Sequence, residues 1–375
     1  MMPEVSVVIP TKDEEKSIGI CIEKVLRVFN DNHIDGEIIV ADSSSDRTPE
    51  IARNLGARVI KVDKLGYGNA YICGLEHAAG DYIVMGDGDA TYDFSEMPRL
   101  LEPLKRGEAD IVIGSRFKGE IKKGAMPWLH RYMGNPVLTL LLNLFFKANV
   151  SDAHSGFRAL TKDALKRMKL RTPGMEFASE MIIEAKRRGL RIKEVPITYY
   201  PRLGEPKLNS FSDGWRHLKF MLLYTPKHLY ILPGFTLLML GILLMLSAYF
   251  HINIGYTPGL HSMILGSLLI IVGYEIVMLG LFAGVYGKRN DFLELDSITK
   301  AILKHASLER GVLLGAVLFI IGFAYSLHLV LNWMESGFKS QPLNGQDMIG
   351  FTLIVIGIQT IFFSFFLSLI GGASE

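Results

Sequence analysis

Hydrophobic residues arrive along this chain in two rhythms. Up to about Pro226 they come in short bursts broken by Gly, Pro, Asn, Asp and charged residues, and from Leu229 onward they come in four long runs. The first burst, Val5-Ser6-Val7-Val8-Ile9, is rich in β-branched residues and closed by Pro10, which predicts a buried parallel strand. Ile18, Ile22, Val25, Leu26 and Phe29 follow at helix spacing and predict a helix over residues 14–30. The alternation continues with strands over 37–40, 57–62, 81–85 and 110–114 and helices over 48–55, 68–79 and 98–105. Strands separated by helices of this length predict an α/β domain, a parallel sheet with helices on both faces. Ligands of such sheets collect beyond the carboxyl ends of the strands.

The four long runs, 229–250, 262–286, 311–333 and 348–370, each reach the ~20 residues needed to cross a bilayer core. The loop between the second and third holds Lys288, Arg289, Lys300, Lys304 and Arg310, whereas the two other loops hold only Lys339 between them. Lys and Arg accumulate on the cytoplasmic side. The expectation is therefore a multi-pass protein of the cell membrane with its N-terminal domain, N-terminus and C-terminus in the cytosol. Glu275 lies near the centre of the second run, where a charge costs at least ~2.5–3.5 kcal/mol. Gln359, at similar depth in the fourth run, is the expected partner, in either a structural hydrogen bond or a role in handling a polar head group. Gly280 and Gly284 have the spacing that lets helices approach closely and are read as packing residues.

Composition changes this picture little. The chain has 375 residues, 49% of them hydrophobic, and a net charge of +2, so bulk charge selects no partner and no nucleic acid is expected. Cys21 and Cys73 have no metal-ligand spacing and sit in apolar-periodic segments, which reads as reduced packing residues. No basic stretch followed by an apolar run opens the chain, so no cleavable signal peptide is expected. The expected organisation is a nucleotide-binding domain over 1–211, amphipathic juxtamembrane helices over 212–228 and a four-helix transmembrane domain over 229–375.

The polar residues lie where the strand-end rule puts a site. Thr11-Lys12-Asp13-Glu14 follows the first strand, Asp42-Ser43-Ser44-Ser45-Asp46 the second, Asp87 and Asp89 the one ending at Met85, and Ser115-Arg116 the one starting at Asp110. Asp87 and Asp89 are two apart in an extended chain and project to one side. Such a pair of carboxylates repels unless a cation lies between them. Few hard oxygens open to solvent suit Mg²⁺ or Mn²⁺ bound together with substrate phosphates. An Asp-Gly-Asp surface turn is the plain alternative. A calcium loop of the EF-hand type fits poorly, because Tyr92 and Pro98 occupy its Gly and Glu positions.

VIPTKDE (8–14), VADSSSDRT (40–48), GDGD (86–89), IGSR (113–116) and SGFRAL (155–160), in this order, resemble the inverting family 2 glycosyltransferases of GT-A fold. Within them the chain is most similar to the polyprenyl-phosphate glycosyltransferases, which include dolichyl-phosphate mannose and glucose synthases. The resemblance implies that Pro10, Glu14 and Asp42 line the base and ribose pocket, and that Asp87 and Asp89 hold Mg²⁺ or Mn²⁺ on the donor diphosphate. It implies that Arg116 and Arg131 grip the acceptor phosphate, making Asp89, Arg116 and Arg131 the catalytic set. Arg202 and Lys207 would close over the donor, with His154 and Glu176 bordering its sugar. Glu176 and Glu180 lie four apart, one for sugar hydroxyls and the other structural. Mannose-synthase relatives carry a Gln two positions after the second metal Asp; Thr91 stands there in this chain, which favours a UDP-glucose or UDP-N-acetylglucosamine donor over GDP-mannose.

Processive polysaccharide synthases share this donor domain and are the rival reading. They resemble one another in a TED-type base and a Q-x-x-R-W stretch, neither of which occurs in this chain. A sugar hydroxyl needs a base; a phosphate monoester is already anionic, so positioning and neutralisation of the leaving diphosphate suffice. The expected acceptor is thus a dolichyl or polyprenyl phosphate, attacking with inversion. The segments 135–146 and 212–224 read as interfacial ramps toward the bilayer. A membrane scaffold that merely binds a nucleotide is a further alternative, and a homo-oligomer is left open.

Overall fold

A computed structural model describes residues 3–204 and 210–371. The chain divides into two compact units, Met1–Met221 and Leu222–Glu375.

The first unit is built on a seven-stranded sheet of order β3-β2-β1-β4-β6-β5-β7, from β1 (Val5–Thr11), β2 (Gly36–Asp42), β3 (Arg58–Lys61), β4 (Tyr82–Met85), β5 (Ile111–Ile121), β6 (Arg158–Thr161) and β7 (Ile192–Tyr199). β1, β2, β3 and β4 are parallel, with Thr11 opposite Asp42. β6 runs antiparallel to both β4 and β5, so the sheet is mixed rather than wholly parallel. β5 also overruns its predicted end at residue 114, continuing through an irregularity between Ser115 and Glu120. Arg116 therefore lies within a strand instead of in the loop beyond it.

Alternation along β1 sends Val5, Val7 and Ile9 to one face, where they meet Ile18, Cys21, Ile22 and Val25 of α1 (Ile18–Asp31). Ala52 of α2 (Thr48–Asn54) and the apolar stripe of α4 (Met97–Lys105) join the same cluster. Each Val or Ile so buried contributes roughly 1.5–3 kcal/mol relative to exposure. On the opposite face, Val8 and Ala41 pack on α3 (Tyr67–Glu76). A Cβ on Gly68 would collide with the Thr172 carbonyl oxygen, so the Gly66-Tyr67-Gly68 stretch is a place of close backbone approach. α5 (Asn135–Phe146), α6 (Lys162–Arg167), α7 (Phe177–Arg187) and α8 (Ser210–Leu223) complete the unit. Cys21 and Cys73 are free thiols, and burial pushes Cys21 up to about 12.

The second unit holds α9 (Leu232–Tyr249), α10 (Leu260–Arg289), α11 (Ser297–His305), α12 (Leu308–Glu335) and α13 (Gly345–Gly371). Four helices are long and apolar enough to cross a membrane: Lys227–Tyr249, Leu260–Arg289, Leu308–Glu335 and Gly345–Gly371. They form two hairpins. In the first, a Cβ on Gly241 would stand 2.7 Å from the Gly266 carbonyl oxygen, and one on Gly273 2.7 Å from that of Gly234. In the second, the Gly315–Gly357 and Gly322–Gly350 meetings are equally tight, at 2.7 and 2.6 Å. Each helix thus carries glycines seven apart, one heptad or about two helical turns along one face. α9 and α13 even share a phrase, GFTLLMLG and GFTLIVIG.

Between the hairpins polar ties stand among apolar contacts, with Met348 and Ile349 packed on the cluster of Met245, Ala248 and Met263, and Phe282 on Phe363 and Phe366. Ser267 and Thr352 hydroxyls lie 2.6 Å apart, Tyr274 and Thr360 hydroxyls 2.8 Å. The expected Glu275–Gln359 bond is not made: Gln359 Oε1 is buried without a hydrogen-bond partner and Glu275 is exposed. Successive helical residues point ~100° apart, so with Tyr274 turned to α13, Glu275 is turned away. Gly280 approaches Tyr230 and Ile231, and Gly284 approaches Leu295, as packing residues.

Candidate active site

The carboxyl ends of β1, β2 and β4 converge, and their polar tails are laced together. Thr11 Oγ1 and Ser44 Oγ both donate to Asp42 Oδ1, at 2.8 and 2.6 Å. Asp13 Oδ1 accepts from Ser45 N, while Asp13 N donates to Ser44 Oγ. Glu14 N donates to Thr48 Oγ1 at 2.8 Å. The TKDE and DSSSD stretches are therefore one structure, with Pro10 on β1 beside Ala41.

Asp87 and Asp89 leave β4 into different surroundings. Asp87 Oδ1 accepts from the hydroxyls of Tyr67 and Tyr71, each at 3.1 Å. Burial first, and then the neighbouring Asp89, push its carboxyl up to about 7 despite those bonds. Asp89 Oδ1 accepts from Thr91 N and from Thr91 Oγ1 at 2.6 Å. Thr91, which stands where the mannose-synthase pattern has a Gln, thus holds Asp89 in place. Asp89 Oδ2 accepts from Arg202 Nη1 at 3.0 Å, and the same guanidinium is paired with Glu14. Chain segment 200–203 is pinned along the loop, Tyr200 N donating to Thr91 O and Leu203 N to Asp89 O. Lys207 lies outside the described residues.

A half-buried carboxyl raised by a second one is the electrostatic signature of a site short of positive charge. Asp87 and Asp89 fit a divalent ion on that ground. Among the described residues, no group of three or more His, Cys, Asp or Glu converges on one ion. Two protein carboxylates would share it with oxygens from a substrate.

Arg116 is buried and saturated on one side. Its Nε and Nη2 fork onto Asp152 Oδ2 and Oδ1, both at 2.7 Å, and its backbone N–H adds a third bond at 2.9 Å. Its guanidinium lies 5.2 Å from the centre of the Tyr199 ring. Tyr199 in turn packs on Tyr92, whose hydroxyl accepts from Gly156 N at 2.7 Å. Arg116, Arg131, Tyr132 and Pro136 share a cavity of about 260 Å³. Arg131 sits on a π-helical turn, His130–Gly134, with its guanidinium over the Tyr132 ring.

Further along, Arg158 is fully buried and donates to three carbonyl oxygens, of Ser155, Ala178 and Ala153. The loop it ties down carries His154, whose ring stands edge-on to His217 of α8, at 4.5 Å. Ser179 Oγ is 2.8 Å from His217 Nδ1 and 3.4 Å from His154 Nε2, while His154 Nδ1 is buried without a partner. Burial, and then the charge of its neighbours, hold His154 well below its ordinary value; burial and Arg158 lower His217 to about 4. Glu180 accepts from Arg171 N, Thr172 N and Thr172 Oγ1, which ties its carboxylate to the backbone of residues 171–172. Glu176 keeps one buried oxygen, Oε2, unpartnered.

The structure thus joins Glu14, Asp89 and Arg202 directly, and puts Arg116 and Arg131 on one cavity. Sequence reading missed Tyr67 and Tyr71, whose four-residue spacing within GYGNAY was the available signal, and Asp152, for which only its position three before SGFRAL spoke.

The sheet and its strand-end acids define a GT-A glycosyltransferase domain. A family model described as glycosyl transferase family 2 matches residues 6–169, and one described as the glycosyltransferase family 2 C-terminal transmembrane region matches residues 281–371. The low-salt glycan biosynthesis hexosyltransferase Agl6 of Haloferax volcanii is 46% identical over 370 residues, covering 98% of this chain and 89% of that protein. A dolichyl-phosphate hexose transferase of the same organism is 36% identical over 213 residues, 56% of this chain and 89% of that protein. In fold, the first unit is like glucosyl-3-phosphoglycerate synthase from Mycobacterium tuberculosis in complex with Mn²⁺, UDP-glucose and phosphoglyceric acid. That match has a TM-score of 0.50 at 24% identity, over 59% of this chain and 79% of that one. The chain belongs to the family 2 glycosyltransferases, and is a membrane glycosyltransferase among them.

Proposed function

We propose that the protein moves a hexose from a nucleotide sugar to a dolichyl or polyprenyl phosphate, inverting the anomeric centre and producing a lipid-phospho-sugar. UDP-glucose and UDP-N-acetylglucosamine are the favoured donors, since Thr91 secures Asp89 through its side chain and replaces a metal-binding Gln. The observation that carries the reading is the strand-end group of Glu14, Asp87, Asp89 and Arg202, which offers carboxylates to a cation and a guanidinium to a diphosphate. The names of the two Haloferax volcanii relatives, a hexosyltransferase of glycan biosynthesis and a dolichyl-phosphate hexose transferase, support the transferred group and the lipid acceptor.

In this mechanism Asp42, with Pro10 and Glu14, binds the nucleoside. Asp87 and Asp89 would hold Mg²⁺ or Mn²⁺, and the ion would supply positive charge toward the leaving diphosphate. Arg202 leaves Asp89 for the diphosphate, aided by Lys207. Arg131 binds the acceptor phosphate in the cavity it shares with Arg116, whose fork is set by Asp152. His154, neutral, and Glu176 present the polar atoms left unpartnered to the sugar hydroxyls. No residue is required to take a proton from the acceptor. The catalytic domain lies on the cytosolic side, where the basic loop after α10 also lies.

The test incubates detergent-solubilised protein with Mn²⁺, a short-chain polyprenyl phosphate and, separately, labelled UDP-glucose, UDP-N-acetylglucosamine and GDP-mannose. Label passing into organic solvent with one donor, and abolished by EDTA, is the expected result. Label in a polymer instead would transfer the protein to the processive synthases, and retention of the anomeric configuration would overturn the in-line attack.

A further inference from the structure

The two strand-end aspartates are held by different means. Both carboxylate oxygens of Asp89 are taken, Oδ1 by Thr91 and Oδ2 by Arg202. On Asp87 both bonds fall on one oxygen. The Tyr67 and Tyr71 hydroxyls each stand 3.1 Å from Oδ1, and among the described residues Oδ2 accepts no hydrogen bond. An ionised carboxylate only accepts, so both phenols donate to it.

The phenols are themselves firmly placed. Tyr67 and Tyr71 lie four apart on α3, on one face of the helix. Tyr71 is fully buried and stacked on Phe177 of α7, with 5.5 Å between ring centres and 4° between planes, and Tyr67 stands edge-on to Tyr71 at 5.0 Å. The start of α3 is anchored where Asn69 N donates to the Pro173 carbonyl oxygen and Gly68 meets that of Thr172. Gly156 borders the other oxygen of Asp87. A Cβ on it would stand 2.7 Å from Oδ2 and 2.9 Å from the Tyr67 hydroxyl. Its N–H is bonded to the Tyr92 hydroxyl at 2.7 Å, which holds a residue without a side chain against the carboxylate.

We propose that Tyr67 and Tyr71 are positioning residues for the divalent ion: they fix Asp87 through Oδ1 and leave Oδ2 for the metal, on the side that Gly156 keeps uncovered. This rests on the reading of Asp87 and Asp89 as the pair that holds Mg²⁺ or Mn²⁺. Of the four oxygens of that pair, Asp87 Oδ2 is the one a cation can take without displacing a protein donor. Hydrogen bonds from outside the ligand set fix the direction of a metal-binding carboxylate and so raise its affinity for the ion. Neutral phenols suit this task, because a Lys or Arg in their place would compete with the ion for the same carboxylate, as Arg202 does at Asp89.

The test titrates Mn²⁺ into detergent-solubilised full-length protein at one fixed UDP concentration, against a protein-free control, and reads free Mn²⁺ by electron paramagnetic resonance. Wild type is expected to bind Mn²⁺. Tyr67→Phe and Tyr71→Phe, which keep the rings, should each raise its Kd ~10–100-fold, the range for groups that orient a metal ligand. The double variant should exceed either, and Gly156→Ala, which sets a methyl group against Oδ2, should weaken binding as well. If the double variant does not fold, each single variant carries the same test. Phenylalanine variants that lower the thermal midpoint but bind Mn²⁺ as wild type does would make the two hydroxyls purely structural and overturn the proposal alone. A wild type that binds no Mn²⁺ would overturn the metal reading and the proposal together.

Discussion

Of the guanidinium–carboxylate groups in the first unit, those of Arg116 and Arg202 differ in how completely they are closed. Arg116 and Asp152 are buried together, and every atom of the Asp152 carboxylate has a donor from Arg116. Arg202 is partly exposed, divides itself between Glu14 and Asp89, and leaves its Nε without a partner. A pair of the first kind is costly to break and holds geometry; a pair of the second kind can be exchanged for a ligand's charges. The same two residue types thus give a fixed part and a replaceable part within one domain.

Substitution at the replaceable group is expected to have the largest effect on turnover. Asp89→Asn should lower sugar transfer on the order of 10³-fold, because it withdraws charge from the site that receives the leaving diphosphate. Its thermal midpoint should stay near that of wild type. A variant that loses activity only in proportion to lost folding would erase the distinction drawn above.

The fixed group should behave in the reverse way. Asp152→Ala leaves Arg116 buried without its counter-ion and should cost about 3–5 kcal/mol of stability. Differential scanning of the solubilised protein would report it. A stable Asp152→Ala that has merely lost the use of lipid phosphate would mean that Arg116 too is exchangeable.

His217 offers a third case, a buried group kept neutral. Its folded value of about 4 lies below the ordinary 6.5, so the unfolded chain takes up the proton first as pH falls. Its contribution is therefore intact above pH 6.5 and is lost as pH drops toward 4, by about 2 kcal/mol at pH 5. His217→Gln should flatten the fall in thermal midpoint between pH 7 and 5; an equally steep fall in that variant would assign the acid sensitivity to other groups.

Arg131 should show the smallest effect. Partly exposed on its π-helical turn, it can be removed without leaving a buried charge. Arg131→Ala should raise KM for polyprenyl phosphate ~10-fold, equivalent to about 1.4 kcal/mol, with kcat and KM for the donor little changed. A fall in kcat alone would place Arg131 on the transition state rather than on acceptor binding.

The strands that follow a simple pattern were legible in the sequence. Val5-Ser6-Val7-Val8-Ile9 and Asp81–Met85 of the reading reappear as β1 and β4, and of the acids behind them Glu14 and Asp89 share the Arg202 guanidinium. Residues that depart from pattern for a tertiary reason were not legible. β6 begins with Arg158, a poor strand signal until its guanidinium is seen satisfying three carbonyl oxygens. Arg116 was expected beyond a strand ending at residue 114, whereas the strand continues through an irregularity and the Arg116 N–H bonds Asp152. The contact of Arg202 with Glu14 joins residues 188 apart, beyond any periodicity. Glu275 was paired with Gln359 from their places in the apolar runs, whereas rotation about the helix is decided by which neighbour Tyr274 bonds. The glycines seven apart were in plain view, yet only the four-residue pair Gly280 and Gly284 was recognised.

Those glycine meetings have a mechanical consequence. Where backbone touches backbone, no side chain can change rotamer to let the helices slide, so α9 with α10, and α12 with α13, each move as a single stiff lever. Any breathing of the membrane part is then confined to the line between α10 and α13. There the ties are two hydroxyl pairs, Ser267 with Thr352 and Tyr274 with Thr360, set among side-chain contacts such as those of Phe282 with Phe363 and Phe366, all of which can shift without moving one backbone against another.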